Sequence, residues 1–248
     1  MRTLARRETM RFISVWQQTL LAPLITAGLF LTVFALAFGR DRAPVMGVPY
    51  LAFLAPGILM MTVIQNAFAN TSSSIIIAKV QGNIVDTLMP PLSPFETLAG
   101  YLAGASARAL AVAVVIAAGI GLAIGHWPAH PVLLMIYVFM GALLLGGLGI
   151  AAAIYANKFD QMAAITNFIV TPLSFLSGTF YSTDVLPPLF QTLTHWNPVF
   201  YLIDGARFGM IGASDAPIGQ GLMVIAAFTL IVLGLCWNWL RTGYRMKP

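Results

Sequence analysis

Long apolar segments alternate with short polar ones along almost the whole chain. Each apolar segment has about 20 residues, which is enough to cross a bilayer as a helix. Six such segments are predicted as membrane-spanning helices, at residues 20–38, 50–70, 100–125, 132–156, 162–179 and 218–240. The first 18 residues carry four arginines, with Phe12 and Trp16 at helical spacing. This pattern predicts an N-terminal helix that lies at the membrane surface.

The longest polar interruption, residues 72–100, separates the second apolar segment from the third. Its first half repeats apolar residues at three- and four-residue steps, which predicts an amphipathic helix. The apolar positions are Ile77, Val80, Ile84, Val85 and Leu88. A proline pair at 90–91 ends this helix near Met89, because proline cannot continue a helix interior. Residues 93–96, Ser-Pro-Phe-Glu, then predict a new helix that starts with a capping box.

A second unusual connection, residues 180–217, follows the fifth apolar segment and is too apolar for a solvated loop. Its apolar residues describe one face of a short helix, namely Leu186, Leu189, Phe190, Leu193 and Trp196. Asn197 and Pro198 then predict the start of a second short helix. On that helix Asp204 and Arg207 are three residues apart and are expected to pair. We expect both helices to dip into the outer membrane interface.

Composition places the chain among integral membrane proteins. It is 59% hydrophobic and only 8% charged, with a mean hydropathy of +0.86, whereas soluble domains are about 25% charged. The chain is therefore predicted as an all-α membrane protein, with an interfacial helix at residues 1–18 and one transmembrane domain at 19–248. The net charge of +5 is interpreted as a topology signal, so no nucleic-acid partner is expected.

The basic residues predict the orientation of the spans. With both termini in the cytoplasm, nine basic residues fall inside and three outside, which agrees with the preference of cytoplasmic loops for Lys and Arg. The inside set is Arg2, Arg6, Arg7, Arg11, Lys79, Lys158, Arg241, Arg245 and Lys247, and the outside set is Arg40, Arg42 and Arg207. This orientation places residues 72–100 in the cytoplasm.

A few polar side chains lie within the predicted spans. Gln65, Asn66 and Asn70 cannot face lipid without cost, so we expect them to bond neighbouring helices or line a wet cleft. Arg108 is the one charge well inside an apolar segment, where an arginine costs about 2.5 to 3.5 kcal/mol on insertion scales. It therefore needs a partner or an aqueous cavity, or it extends its side chain toward the cytoplasm.

Several kinds of chemistry are missing from the sequence. The chain has no GxxxxGK[ST] motif and so cannot hydrolyse ATP in that way by itself, and it has no GxSxG or HExxH motif. His126 and His130 are four residues apart, but Pro128 lies between them and disfavours a helical metal site. No carboxylate falls in the middle of a span, as a proton-coupled pump would require. A self-contained secondary carrier or channel for small amphipathic solutes is the alternative that we keep open.

Two segments resemble the ABC-2 type export permeases. Residues 78–100, AKVQGNIVDTLMPPLSPFETLAG, resemble the cytoplasmic connection of that family, and residues 171–207, TPLSFLSGTFYSTDVLPPLFQTLTHWNPVFYLIDGAR, resemble its signature before the last span. The resemblance covers nearly the whole chain. Within the family, the chain is most similar to small bacterial permeases grouped with exporters of nodulation factors, polysaccharides and drugs. It implies a homodimer of six-span subunits in the bacterial inner membrane that exports an amphipathic or lipid-linked substrate. Two copies of a separate cytoplasmic ATPase would hold ATP and Mg, so this chain would be no enzyme and would bind no cofactor itself.

The resemblance also implies roles for particular residues. Residues 79–94 would couple the permease to the ATPase, with Lys79, Gln81, Gly82, Asn83, Asp86, Leu88, Ser93 and Glu96 as candidates. The outer gate would comprise Leu186, Pro187, Trp196, Asn197, Pro198, Asp204 and Arg207. Polar and aromatic side chains suggest a substrate pathway along Gln65, Asn66, Asn70, Phe175 and Tyr181. The sequence shows no extended aromatic ladder of the kind expected for a long sugar polymer, so the substrate class stays open.

Overall fold

The computed structural model describes residues 1–38 and 43–245, apart from the side chains of Leu88 and Asp184. The chain forms helices α1 (Arg2–Ser14), α2 (Ala22–Phe38), α3 (Tyr50–Val80), α4 (Ile84–Leu88), α5 (Pro94–Ile124), α6 (Pro131–Tyr155), α7 (Phe159–Ile165), α8 (Thr171–Phe175), α9 (Pro188–Trp196), α10 (Pro198–Ile211) and α11 (Ile218–Thr242). A turn of π-helix at Gln17–Leu21 leads into α2, and a second one at Thr166–Val170 joins α7 to α8. A 3₁₀ turn at Thr183–Val185 precedes α9.

Five helices of the described chain are long and apolar enough to cross a membrane. They are α2 with its preceding π turn, α3, α5, α6 and α11. The predicted all-helical membrane class is thereby confirmed. The predicted fifth span is instead a helical run of α7, a π turn and α8, which ends at Phe175. The π turn comes just before Pro172, whose ring and missing N–H prevent a regular helix there. The six-span arrangement stays a prediction.

Helix α3 is the centre of the bundle. It is buried along most of its length, whereas α2 and α11 expose most of theirs. The glycines of α6 allow it to approach α3 closely, since a Cβ added at Gly149 would lie only 2.6 Å from the carbonyl oxygen of Phe68. Thr71 Oγ1 donates to the carbonyl oxygen of Gly146 at 2.8 Å. Small residues thus permit the close packing that holds this helix pair together.

The connection between α3 and α5 differs from the predicted single amphipathic helix. Helix α3 continues to Val80, beyond the predicted end of the second span, and Gly82 then turns the chain with φ +75°. That prediction was wrong because glycine adopts this left-handed conformation without strain and interrupts the helix. The predicted start of α5 at Pro94 is confirmed. The Ser93 N–H donates to Glu96 Oε2 at 3.0 Å, and the Glu96 N–H donates to Ser93 Oγ at 3.2 Å, as a capping box requires.

The two predicted short helices between residues 180 and 217 are present as α9 and α10. Helix α10 is buried along nearly its whole length, and it packs against α6, where a Cβ at Gly209 would lie 2.9 Å from the Cα of Leu134. The predicted apolar face of α9 faces away from the rest of the chain, with Leu189, Leu193 and Trp196 all exposed. The expectation that both helices enter the outer interface remains a prediction.

Candidate functional site

The connection between α3 and α5 presents a polar surface, beneath which Ile84 and Thr87 are buried. Gln81, Gly82, Asn83 and Asp86 are exposed, whereas Ile84 is almost fully buried. The other predicted members of the apolar face do not share this burial: Ile77, Val80 and Val85 are exposed, and the side chain of Leu88 lies outside the described residues. The predicted face was wrong because the turn at Gly82 breaks the helical spacing.

Lys79 belongs to the last turn of α3, and its side chain reaches the end of α6. It is therefore not part of the polar surface where it was expected. Its Nζ donates to the carbonyl oxygens of Ala153 at 3.2 Å, Ile154 at 2.9 Å and Ala156 at 2.5 Å. The last carbonyl groups of a helix lack partners within it, and a cation there also complements the helix dipole. Lys79 therefore joins the end of α3 to the end of α6.

The N-terminal helix is anchored by a carboxylate whose importance the sequence pattern did not reveal. Glu8 is fully buried, and its Oε1 accepts hydrogen bonds from Arg7 Nη2 at 3.1 Å and from Ser74 Oγ at 2.9 Å. Its Oε2 lies 3.2 Å from Arg11 Nη2. The spacing could have indicated its burial, because Glu8 lies one helical turn from both Leu4 and Phe12, on the buried face of α1.

Helix α1 contacts α4 and also both of the helices that flank it, α3 and α5. On α4, Thr87 Oγ1 accepts a hydrogen bond from Arg7 Nη1 at 3.4 Å. On α3, Ser73 Oγ accepts one from Arg11 Nη1 at 3.1 Å. On α5, Gly100 allows a close approach, since a Cβ there would lie 2.7 Å from the side chain of Leu4. A displacement of α4 would therefore act on α1, α3 and α5 together.

A groove of about 420 Å³, whose largely apolar lining includes six polar side chains, lies between α3 and the helical run α7–α8. It contains two of the predicted pathway residues, Gln65 and Asn66. Its lining residues are Gln65, Asn66, Phe68, Ala69, Ser72, Ser73, Ile76, Phe159, Met162, Ala163, Thr166, Val170 and Thr171. Asn70 is not among them, because it is fully buried one turn beyond Asn66, where its carbonyl oxygen accepts from Arg11.

The sequence predicted that Arg108 needs a partner or an aqueous cavity, and the structure gives it Asn66 as a partner. Both Nε and Nη2 of Arg108 donate to Asn66 Oδ1, at 3.2 and 2.6 Å. This contact links the middle of α5 to the middle of α3. It satisfies the expectation of a partner for Arg108 without supplying a negative charge.

Of the remaining pathway candidates, Phe175 belongs to an aromatic cluster at the opposite end of α3, and Tyr181 directly follows Phe180 of that cluster in the sequence. Phe175 stacks on Phe180 with ring centres 5.6 Å apart, and Phe180 stacks on Phe34 of α2 at 5.3 Å. The Tyr50 hydroxyl donates to the carbonyl oxygen of Phe180 at 3.2 Å. Tyr181 donates its hydroxyl to the carbonyl oxygen of Leu176 at 2.8 Å. Neither Phe175 nor Tyr181 lines the groove.

A buried ionic cluster, which we call the outer clasp, holds α10 to the loops around it. It consists of Asp204, Arg207 and Asp215. Arg207 Nη1 lies 3.4 Å from Asp204 Oδ1 and 3.2 Å from Asp215 Oδ2, so the predicted pair of Asp204 and Arg207 is confirmed. Arg207 Nη2 donates to the carbonyl oxygen of Gly178, and the guanidinium lies 4.3 Å above the ring of Phe53.

Burial opposes both charges of the outer clasp. It raises the pKa of Asp204 and lowers the pKa of Arg207, because each charged form loses hydration. Hydrogen bonds counteract this cost, since Asp204 accepts from the backbone N–H groups of Asp215 at 2.8 Å and Ala216 at 3.0 Å. The cluster therefore depends on all its partners being in place.

The other predicted gate residues lie on both sides of α9. Pro187 immediately precedes this helix, and the carbonyl oxygen of Leu186 accepts from Gln191 Nε2 at 2.9 Å. Asn197 caps α10, since its Oδ1 accepts the N–H of Val199 at 3.0 Å, and Pro198 is the first residue of α10. The Asn197 amide also donates to Ser177 Oγ at 2.7 Å. Trp196 is largely exposed.

Comparison with known proteins gives consistent matches over most of the chain. The model of the ABC-2 type transporter family matches residues 1–211. The chain is 34% identical over 242 residues to the inner membrane transport permease YadH of Escherichia coli K12, covering 97% of this chain and 94% of that protein. It is 26% identical over 251 residues to nodulation protein J of Rhizobium leguminosarum bv. trifolii, with 94% of each chain covered.

Proposed function

The chain belongs to the ABC-2 type transporter family of membrane permeases, and from that premise we propose that it is the membrane subunit of an ATP-driven exporter. A separate cytoplasmic ATPase hydrolyses ATP, because the sequence of this subunit has no phosphate-binding loop motif. Two permeases and two ATPases form the complex in the bacterial inner membrane. Its cargo is amphipathic or lipid-linked and leaves from the cytoplasm or the inner leaflet. The exposed α4 connection between two long apolar helices is the observation that carries this proposal.

The proposed topology has six spans and cytoplasmic termini, with the α7–α8 run as the fifth span. The excess of basic residues on the cytoplasmic side supports it, although Arg40, Arg42 and Lys247 of that comparison lie outside the described residues. In this topology α1, α4 and the end of α6 share the cytoplasmic side. The aromatic cluster and the outer clasp lie on the other side, where they close the pathway as an outer gate.

Reporter fusions test this topology. Fusions after Lys79, Lys158 and Lys247 are expected to report the cytoplasm, since these sites follow the basic side of the chain. Fusions after His130 and Asp184 are expected to report the outside. The measurement is the activity ratio of paired cytoplasmic and periplasmic reporters. A cytoplasmic signal at Asp184 would contradict the placement of α9 and α10 in an outer gate.

Coupling follows from the contacts around α4. The ATPase binds the polar surface of Gln81, Asn83 and Asp86, and movement of this surface reaches α1 through the Arg7–Thr87 hydrogen bond. Ser93 and Glu96 fix the start of α5 directly behind it. Lys79 carries the same movement to α6. The groove beside α3 then changes shape because α3, which forms one of its walls, ends at this surface.

The pathway is proposed to form between two copies of the chain. The groove beside α3 is open on one side, and the polar side chains in its largely apolar lining, such as Gln65 and Asn66, are costly to leave against lipid. A second copy facing it would enclose a pathway wide enough for an amphiphile. Gln65 and Asn66 line this pathway, whereas Asn70 positions α1.

Two substitutions in α4 separate coupling from folding. Asp86→Lys changes an exposed residue, so the free energy of unfolding is expected to change by less than about 0.5 kcal/mol. Docking of the ATPase is expected to weaken severalfold, because charges at an interface control association and register. Ile84→Asp is the matched control, because it buries an unpaired charge and is expected to destabilise the permease by about 2 kcal/mol.

Copurification with the ATPase, native mass of the complex and transport-linked ATP hydrolysis are the measurements. The wild-type complex is expected to contain two copies of each subunit. If Asp86→Lys leaves docking, hydrolysis and export unchanged, α4 is only a connection. If the wild-type permease transports as a monomer without an ATPase, the proposed function itself is wrong.

A further inference from the structure

Arg108 carries a positive charge that no carboxylate of the described chain balances. It lies near the middle of α5, about 21 Å along the helix from Pro94. Its hydrogen bonds go to the amide oxygen of Asn66, which is neutral. Among the described residues Arg108 forms no ion pair.

Three other arginines of the described protein have acidic partners, whereas the exposed Arg2, Arg6, Arg241 and Arg245 form no ion pair there. Arg207 contacts Asp204 and Asp215 in the outer clasp. Arg7 and Arg11 share the carboxylate of Glu8. Removing a charge from water is costly, so buried charges are normally paired. A charge inside a membrane segment that lacks such a partner marks a functional site.

The groove beside α3 lies next to both of these positive regions. Asn66 lines it and is bonded to Arg108, and Ser73 lines it and accepts a hydrogen bond from Arg11. Since Arg7 and Arg11 share one carboxylate, their cluster also keeps an excess of positive charge. None of the thirteen described residues that line the groove carries a charge, so these contacts place the positive charges of Arg108 and Arg11 directly behind Asn66 and Ser73. The surroundings of the groove therefore favour an anion.

We propose that this groove binds the anionic head group of an amphiphile, with Arg108 as its countercharge and Arg11 on the cytoplasmic side. Guanidinium groups suit phosphate and carboxylate oxygens because they present paired N–H donors. Phe68, Ile76 and Met162 supply apolar walls for an attached hydrocarbon chain. The volume of about 420 Å³ falls within the range of small-molecule sites. This inference rests on the proposed function, since it names the chemical class of the cargo.

Binding of two labelled amphiphiles to the full-length permease in phosphatidylcholine nanodiscs tests the proposal. The probes are dodecyl phosphate and the uncharged dodecyl maltoside, with empty nanodiscs to correct for partition into lipid. Arg108→Gln is expected to weaken binding of dodecyl phosphate by about tenfold, because it removes the unbalanced positive charge behind Asn66, and to leave dodecyl maltoside unchanged. Arg108→Lys is expected to keep most of the binding. Arg241→Gln removes an equal charge from α11, which contributes no residue to the groove, and is expected to have no effect.

Equal affinity of the wild-type permease for both probes would overturn the proposal, as would unchanged dodecyl phosphate binding in Arg108→Gln. Adding phosphatidylglycerol to the nanodiscs identifies the source of the anion. Competition would assign the groove to a leaflet lipid, and lack of competition would assign it to a separate amphiphile, and both results support an anion site. Because binding requires no ATPase, failure here leaves ATP-driven export standing, and failure of ATPase docking leaves this site standing.

Discussion

Replacing Arg207 with methionine is expected to lower the free energy of unfolding by about 3 to 5 kcal/mol, the usual cost of removing one partner from a buried ion pair. Arg207 is fully buried between Asp204 and Asp215. Methionine keeps a long unbranched side chain but leaves both carboxylates without their cation. The loop at Gly178 also loses a donor. Denaturant or thermal unfolding of the purified permease measures the loss.

Arg241→Met is the matched control for this prediction. The guanidinium of Arg241 also lies over an aromatic ring, at 5.3 Å from the ring centre of Trp237, but the residue is exposed at the end of α11. Its replacement is expected to change the free energy of unfolding by less than about 0.5 kcal/mol. Similar losses in the two variants would show that the outer clasp does not stabilise the protein.

The outer clasp illustrates which contacts the sequence could predict. Asp204 and Arg207 were predictable as a pair because they lie one helical turn apart. Asp215 and Gly178 were not, because they reach Arg207 only through the turns before α11 and after α8. Contacts within one helix follow from spacing, whereas contacts between loops follow from the tertiary structure.

The helices themselves were predictable where apolar runs are long and their ends have strong signals. The start of α5 is an example, because Ser93 and Glu96 cap it locally. The errors arose where a single residue changes the backbone, as Gly82 does with its positive φ. Pro172 had a similar effect, because a π turn precedes it and α8 ends soon afterwards.

The groove was only partly predictable, because the sequence shows which residues are polar but not which helices they meet. Polar residues in a predicted span must face something other than lipid, and this argument identified Gln65, Asn66 and Asn70 together. It could not tell which neighbour each of them meets. The structure directs Gln65 and Asn66 to the groove and Asn70 to α1, because successive helical turns of α3 face different partners.

Helix α1 has a larger role than its predicted position at the membrane surface suggests. It packs on α5 through Leu4 and Gly100 and contacts α4 through Arg7 and Thr87. In the proposed mechanism it therefore belongs to the part that moves with the ATPase. The buried carboxylate of Glu8 holds this arrangement together.

Glu8→Gln is accordingly expected to lower the free energy of unfolding by about 2 kcal/mol, since it removes the charged contacts of a buried carboxylate, whereas Arg7 and Arg11 are partly exposed and keep part of their hydration. Glutamine preserves the size of the side chain, so the effect isolates the charge. Ser74 retains a possible hydrogen-bond partner in the new amide. Hydrogen exchange of the amides of residues 2–14 is expected to accelerate more than exchange in α3 or α6, because α1 loses its anchor first.

Glu96→Gln is the matched control, because it makes the same chemical change at the start of α5. Glutamine can still close a capping box with Ser93, so its cost is expected to stay within about 0.5 kcal/mol. A uniform loss of stability in Glu8→Gln, with unchanged exchange in α1, would mean that apolar contacts alone hold this helix. Selective loosening of α1 would instead show that one buried negative charge between two arginines fixes the N-terminal helix to the surface around α4.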